Sequence, residues 1–175
     1  MIMNQPEIIL IAALAASNRV MGKDGKLPWS IPADSQRFVN LIIGHAVIMG
    51  RKTWEYDLEK RPIHQCFNVV VSASTPEDEI AELQLQYSSN LLFVTSISEA
   101  LQKVSHHPQA FIVGGASIYS QTLTLAHTWE LTLVDGDFEG DTFFPEYEFL
   151  IGNQFEMVNL EPQPGFRYET YKRIL

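Results

Sequence analysis

One cysteine, Cys66, stands in a chain of 175 residues, so an internal disulfide and a thiolate zinc cluster are both excluded. That usage fits a reducing compartment, and the expected location is the cytoplasm. Lys and Arg are also scarce, 12 against 21 Asp and Glu, for a formal net charge of −9. An acidic total argues against non-specific nucleic-acid binding and against an anionic membrane surface as partners. The charge is uneven. Residues 1–66 carry eight Lys/Arg against six Asp/Glu, while the remainder carries four against fifteen, so the first third has room for one local anion site. No apolar run approaches the roughly 20 residues of a membrane helix; the longest is Ile8–Ala16. Ala13-Leu14-Ala15 resembles a leader cleavage box, but Met1–Glu7 holds no Lys or Arg and one acid, the wrong charge for a leader. The run is therefore expected to be a buried first strand. No internal repeat is present, which excludes a fibrous chain.

What is present is an ordinary globular composition, 46% hydrophobic and 19% charged. Short β-branched runs at Ile8–Ala16, Ala46–Met49, Asn68–Val71, Leu91–Thr95 and Ala110–Val113 read as strands. Between them Ala33–Ile43, Arg51–Leu58, Pro76–Gln86, Ile97–Val104 and Ala116–Leu123 read as helices. Thr75 precedes Pro76 and three acids as a cap, and Ser96 with Glu99 reads as a capping box. Such alternation implies an α/β fold with a mainly parallel sheet and helices on both faces. After residue 128 only strands follow, Glu130–Asp135, Phe155–Leu160 and Tyr168–Ile174, expected as an antiparallel edge. No linker divides the chain, so residues 1–175 read as a single domain.

In such sheets ligands sit beyond the carboxyl ends of the strands, facing helix N-termini. Three strand-to-helix junctions carry suitable residues. Gly50-Arg51-Lys52-Thr53 places two cations and a hydroxyl at a helix start, where they repel the N–H groups unless an anion joins them; phosphate binding is favoured over two solvated cations. Gly114-Gly115 after a strand reads either as a close ligand approach or as a tight turn. Ser72, after Val71, reads as a phosphate contact or a cap for the next helix. Asp34 opens a helix among apolar neighbours. It is either a partner of the helix dipole or a carboxylate that grips an amidine-like heterocycle and handles a proton. The five histidines lack metal-ligand spacing, and adjacent His106 and His107 would point apart on a helix. Asp135–Asp141 lacks calcium-loop spacing and reads as a solvated turn. No metal is expected.

In order, the chain holds Ile11-Ala12-Ala13-Leu14-Ala15, Gly22, Leu27-Pro28-Trp29-Ser30-Ile31-Pro32-Ala33-Asp34, Phe38 and Val47-Ile48-Met49-Gly50-Arg51-Lys52-Thr53-Trp54-Glu55. Val113-Gly114-Gly115-Ala116-Ser117-Ile118-Tyr119 and Glu139-Gly140-Asp141-Thr142-Phe143-Phe144-Pro145 follow. Together these segments resemble the dihydrofolate reductase family from Ile8 nearly to the end. The resemblance implies a monomer with a mainly parallel sheet of about eight strands, NADPH as cofactor, and reduction of a dihydropterin ring. It implies that Asp34 binds the pterin and assists protonation at N5. Phe38 and Ile63 would pack the substrate, Ile11 and Val113 would supply carbonyls, Thr132 would support the carboxylate, and Ala13 and Tyr119 would line both pockets. Met21, Gly22 and Leu27 match the loop that closes over the nicotinamide, and Thr142 matches a further cofactor contact. Gly50, Arg51, Lys52, Thr53, Val71, Ser72, Gly114, Gly115, Ala116, Ser117 and Ile118 match cofactor segments, with a cis peptide at Gly114–Gly115.

Three departures accompany the match. The family arginine that grips the folate glutamate falls two residues before Asn68, where this chain has Cys66. Ser117 stands where some relatives carry another arginine, and Tyr56–Pro62 is longer than usual. Two other readings therefore accompany the reductase: a related pterin or pyrimidine reductase without a glutamate requirement, and a non-catalytic NADPH-binding protein.

Overall fold

The computed structural model describes residues 5–174; Met1–Asn4, within the segment weighed as a leader, and Leu175 lie outside the described residues. The first apolar run becomes β1 (Glu7–Ala15), followed by a short β2 (Val20–Gly22) and α1 (Pro32–Ile42). β3 (Ala46–Gly50) runs into a helical turn at Arg51 and Lys52 that widens to a π-helix over Thr53–Asp57. Then come β4 (Phe67–Val71), α2 (Glu77–Gln86), β5 (Leu91–Val94), α3 (Ile97–Lys103), β6 (Gln109–Ile112) and α4 (Ala116–Thr122). The last third holds β7 (Thr128–Val134), β8 (Thr142–Phe143), β9 (Phe155–Gln163) and β10 (Phe166–Arg173).

Eight strands form one sheet in the order β5-β4-β3-β6-β1-β7-β10-β9, parallel up to β7 and antiparallel from β7 to β10 to β9. Side chains alternate between its faces, so one strand feeds two cores. Ile8, Leu10, Ala12 and Leu14 of β1 pack with Ile97 and Ala100 of α3 and Ile118 of α4. Ile9 and Ile11 pack on the opposite face with Ile42, Trp54 and Phe111, and with Phe38 and Leu41 of α1. Leu10, Leu14, Ile48 and Ile112 are fully buried, and each truncated to alanine would cost about 2–5 kcal/mol. Both faces are thus covered by helices, and β10 and β9 form the expected antiparallel edge.

Several local expectations are corrected. β2 and β8, absent from the sequence reading, form a separate two-stranded ribbon. Thr75 does not cap α2; its hydroxyl shares a 2.7 Å hydrogen bond with Ser72, and the cap position is Pro76, which has no side-chain donor or acceptor. Ser96 does cap α3, accepting from the Glu99 N–H at 3.1 Å, but Glu99 reaches back to the Thr95 N–H rather than to Ser96. His106 and His107 lie in a turn, not on a helix, and their rings meet at 4.4 Å. Phe67 stacks on His107 at 5.3 Å, filling that corner at the amino end of β4. No helix among the described residues is long and apolar enough to cross a membrane.

Candidate active site

Asp34 lies in the first turn of α1, where Pro32 starts the helix and no side chain caps it. It faces β7, and its Oδ1 accepts a 2.7 Å hydrogen bond from the Thr132 hydroxyl. Thr132 is buried and stands directly across from Ala13 of β1. Burial raises the carboxyl's proton affinity above the ordinary aspartate range, while the Thr132 bond and the Arg37 guanidinium oppose that rise less strongly. The residue sits at a helix start, as a partner of the helix dipole would, and faces Thr132 on the sheet. Phe38, one turn further on, shares that apolar cluster with Ile11, Ile63 and Val113, so these four expected substrate contacts come together. Trp29 sits just before α1, edge-on to Phe138 at 5.1 Å, and its buried Nε1 has no acceptor among the described residues.

Beside this cleft, β3 and β6 are sheet neighbours and end together. The Gly50 N–H donates to the Gly114 carbonyl at 2.8 Å, and the Gly114–Gly115 bond is cis. Gly50 also has no room for a side chain, since a Cβ there would come within 2.8 Å of Ile118. Two helical segments begin at this junction, one at Arg51 and Lys52 and the other at Ala116, Ser117 and Ile118; α4 has no side-chain cap at Gly115. Their first N–H groups and the exposed Lys52 form a donor set suited to a pyrophosphate. Arg51 adds a second cation, held at 2.7 Å by Glu55. Thr53 is buried at the same junction, with its hydroxyl 3.6 Å from where a Gly115 Cβ would stand. Ser72, at the end of β4 after Val71, is buried and already bonded to Thr75. Ser117 accepts from the Gln121 amide at 3.2 Å. These residues fit an anionic dinucleotide.

Tyr119 joins the two halves. Its phenol donates to the Ile11 carbonyl at 2.7 Å and is held neutral far above neutral pH, chiefly by burial and secondarily by the Asp57 charge. Met21 and Gly22 lie on β2 and Thr142 on β8, so the ribbon brings these three together, and Leu27 projects into solvent beyond them. The Asp24 N–H donates to Asp141 at 3.0 Å, fastening the ribbon's turn.

Asp57, to which sequence reasoning assigned no role, closes the π-helix as an exposed residue near enough to Tyr119 for its charge to act on that phenol. It keeps part of its side chain in solvent, yet surrounding protein raises its proton affinity, opposed by a hydrogen bond with Thr53. A single acid in a polar stretch carries no periodic signal. Cys66 is buried, and its thiol donates to the Ile42 carbonyl at 3.3 Å, so it presents nothing to the cleft. Among the described residues no group of three or more His, Cys, Asp or Glu side chains is placed to hold a metal.

A shielded carboxylate beside paired helix starts is an arrangement suited to an α/β oxidoreductase that works with a phosphate-bearing cofactor. The comparisons make this specific. The family model described as dihydrofolate reductase matches residues 7–173, and the chain belongs to that family. It is 36% identical over 167 residues to the dihydrofolate reductase of Buchnera aphidicola subsp. Baizongia pistaciae, covering 94% of this chain and 95% of that protein. It is 38% identical over 141 residues to the enzyme of Neisseria gonorrhoeae, covering 80% of each. Among solved structures it resembles dihydrofolate reductase from Enterococcus faecalis complexed with NADP(H) and RAB-propyl. The TM-score is 0.80 at 26% identity, with 98% of both chains covered.

Proposed function

We propose that the chain reduces 7,8-dihydrofolate to 5,6,7,8-tetrahydrofolate with NADPH, with Asp34 as the residue that binds the pterin and supports protonation of N5. The observation that carries this reading is the Asp34 carboxylate, oriented by Thr132 and held by burial with a raised proton affinity on the apolar side of the sheet. NADPH bound there would supply the hydride for C6 of the pterin. Every other requirement falls to the chain. Asp34 offers charge to an amidine edge, and its raised proton affinity favours passing a proton toward N5. Phe38, Ile63, Val113 and Ile11 exclude water around the ring, with carbonyls of Ile11 and Val113 as acceptors. Helix starts at Arg51 and Ala116 hold phosphates, with Arg51, Lys52, Thr53 and Ser72 adding side-chain donors. Met21, Gly22, Leu27 and Thr142 cover the reacting end, alongside Ala13, Gly114, Gly115 and Tyr119.

The chain works as a cytoplasmic, single-domain monomer in this reading. A second reading, a reductase indifferent to the glutamate tail, is favoured by one observation. Cys66 is buried against Ile42, while Lys60 and Arg61 are paired with Glu79 and Glu59 on the surface. Steady-state NADPH oxidation with dihydrofolate and with a bare dihydropterin separates the two. A higher kcat/KM with dihydrofolate than with the bare dihydropterin, even by a small factor, supports the first, equal use supports the second, and no oxidation with either rejects both.

A further inference from the structure

The sheet changes character beneath α1. β1 offers it Ile9 and Ile11, but β7 offers Glu130 and Thr132, and β10 sets Thr170 and Tyr168 in register across from them. Onto this polar stripe α1 lays Asp34 and Arg37, three residues apart and therefore on one face. Asp34 takes the Thr132 hydroxyl. Arg37 donates from Nη2 to Glu130 Oε2 at 2.9 Å, and its guanidinium lies over the Tyr168 ring, 4.1 Å from the centroid. Thr170 donates to the same Glu130 oxygen at 2.8 Å. The arginine side chain is only 24% exposed and that of Glu130 16%. A guanidinium gripped by a carboxylate and stacked on a ring is fixed in place, unlike a surface cation that solvent and salt disperse.

Such a fixed charge acts on its neighbour. We propose that Arg37 is a positioning residue for the reaction: clamped by Glu130 and Tyr168 beside Asp34, its positive charge opposes protonation of the Asp34–pterin pair and so sets the pH at which hydride transfer falls away. This rests on the reading of Asp34 given above. Among the described residues the titratable and hydrogen-bonding groups around Asp34 lie on three elements, with Glu161 of β9 one strand further out, across from Tyr168. α1 contributes Arg37, β7 contributes Glu130 and Thr132, and β10 contributes Tyr168, whose phenol stays neutral through burial and the neighbouring Asp34 charge. Asp57 lies toward Tyr119 instead. Because Asp34 and the bound ring share one proton, they titrate as a pair, and a nearby cation lowers the pair's proton affinity whichever member holds it.

The test is single-turnover hydride transfer with NADPH and dihydrofolate across the pH range, in wild type, Arg37→Met, Arg37→Lys, Glu130→Gln and Asp34→Asn. Because the proton is required, the rate declines as pH rises, and the midpoint of that decline is the readout. Arg37→Met moves it upward by roughly half a pH unit or more, Arg37→Lys leaves it near wild type, and Glu130→Gln, which exposes Asp34 to an uncompensated cation, moves it downward. If Arg37 were only a strut between helix and sheet, all three variants would lower the rate with the midpoint fixed, and that result overturns the inference. If Arg37→Met does not fold, the downward shift in Glu130→Gln decides alone. An Asp34→Asn enzyme with the wild-type profile would remove the reading of Asp34 and the inference with it. Loss of that profile in Asp34→Asn with no shift in the other variants overturns the role of Arg37 alone.

Discussion

Thr132 and Asp34 are 98 residues apart in sequence and 2.7 Å apart in space, and this single hydroxyl–carboxylate bond fastens the start of α1 to the centre of β7. It stabilises the charged form of a carboxyl that burial pushes the other way. Thr132→Val keeps the shape and removes the donor. A hydrogen bond to a charged group contributes about 1.5–3 kcal/mol, so the variant should raise the proton affinity of Asp34 further. The pH midpoint of hydride transfer should move upward relative to wild type, and an unmoved midpoint would show that the bond does not act on the charge.

The same burial makes Asp34 a liability to the empty fold. A carboxyl with a raised proton affinity in the native state contributes stability below its unfolded value of 3.8 that is lost as pH rises through the native value. At neutral pH the charge is therefore a penalty. Asp34→Asn should melt at a higher temperature than wild type at pH 7 without ligand, and this advantage should vanish in acid. A lower melting temperature at neutral pH would contradict the assigned direction.

His127 behaves in the opposite sense. Its Nδ1 accepts from the Ile8 N–H at 2.9 Å, which requires the neutral ring. Burial is the larger cause that lowers its proton affinity below the ordinary 6.5, with Arg173 and Lys172 adding to it and Glu7 opposing. Stability from this contact is present above the unfolded value and lost as pH falls through the native one. Denaturant unfolding of wild type should therefore weaken below about pH 6.5, and His127→Ala should be less stable at neutral pH and flatter across that window. Parallel curves for the two proteins would exclude His127 as the titrating group.

Much of this was legible before any coordinates. The buried strands announced themselves as β-branched runs closed by glycine or serine, and Asp34, Gly50–Thr53 and Gly114–Gly115 stood at strand ends and helix starts, where chain geometry leaves few alternatives. What escaped has a common cause. β2 and β8 hold three and two residues, too few to show a period of two, and they exist only because the two segments meet. Thr75 had the residue type of a cap but found a nearer partner in Ser72. The Arg37–Glu130 bond spans 93 residues and so leaves no local pattern.

Cofactor choice follows from the cations at the first helix start. Arg51 and Lys52 supply more charge than a shared pyrophosphate requires, so NADPH should be preferred over NADH. Arg51→Ala should narrow that preference by about 1.5–3 kcal/mol, because its pair with Glu55, being partly exposed and within one helix, holds it by only about 0.3–0.5 kcal/mol. The ratio of kcat/KM for the two cofactors measures this. Unchanged discrimination would place the 2′-phosphate on other residues.

The substrate tail meets a different surface. A guanidinium fork binds a carboxylate through two parallel bonds, and the buried thiol of Cys66 offers none. Dihydrofolate should accordingly have little advantage over a dihydropterin lacking the glutamate. An advantage above about 10³-fold in kcat/KM would mean that another group recognises the carboxylate fully.

The most direct test is the rate of NADPH oxidation by dihydrofolate at neutral pH in wild type and Asp34→Asn. The substitution preserves size and removes the charge, so turnover should fall by roughly 10²–10⁴-fold while the dissociation constant for NADPH stays unchanged. Near-normal turnover in Asp34→Asn would contradict the account, since the proton would then reach the pterin without this carboxylate.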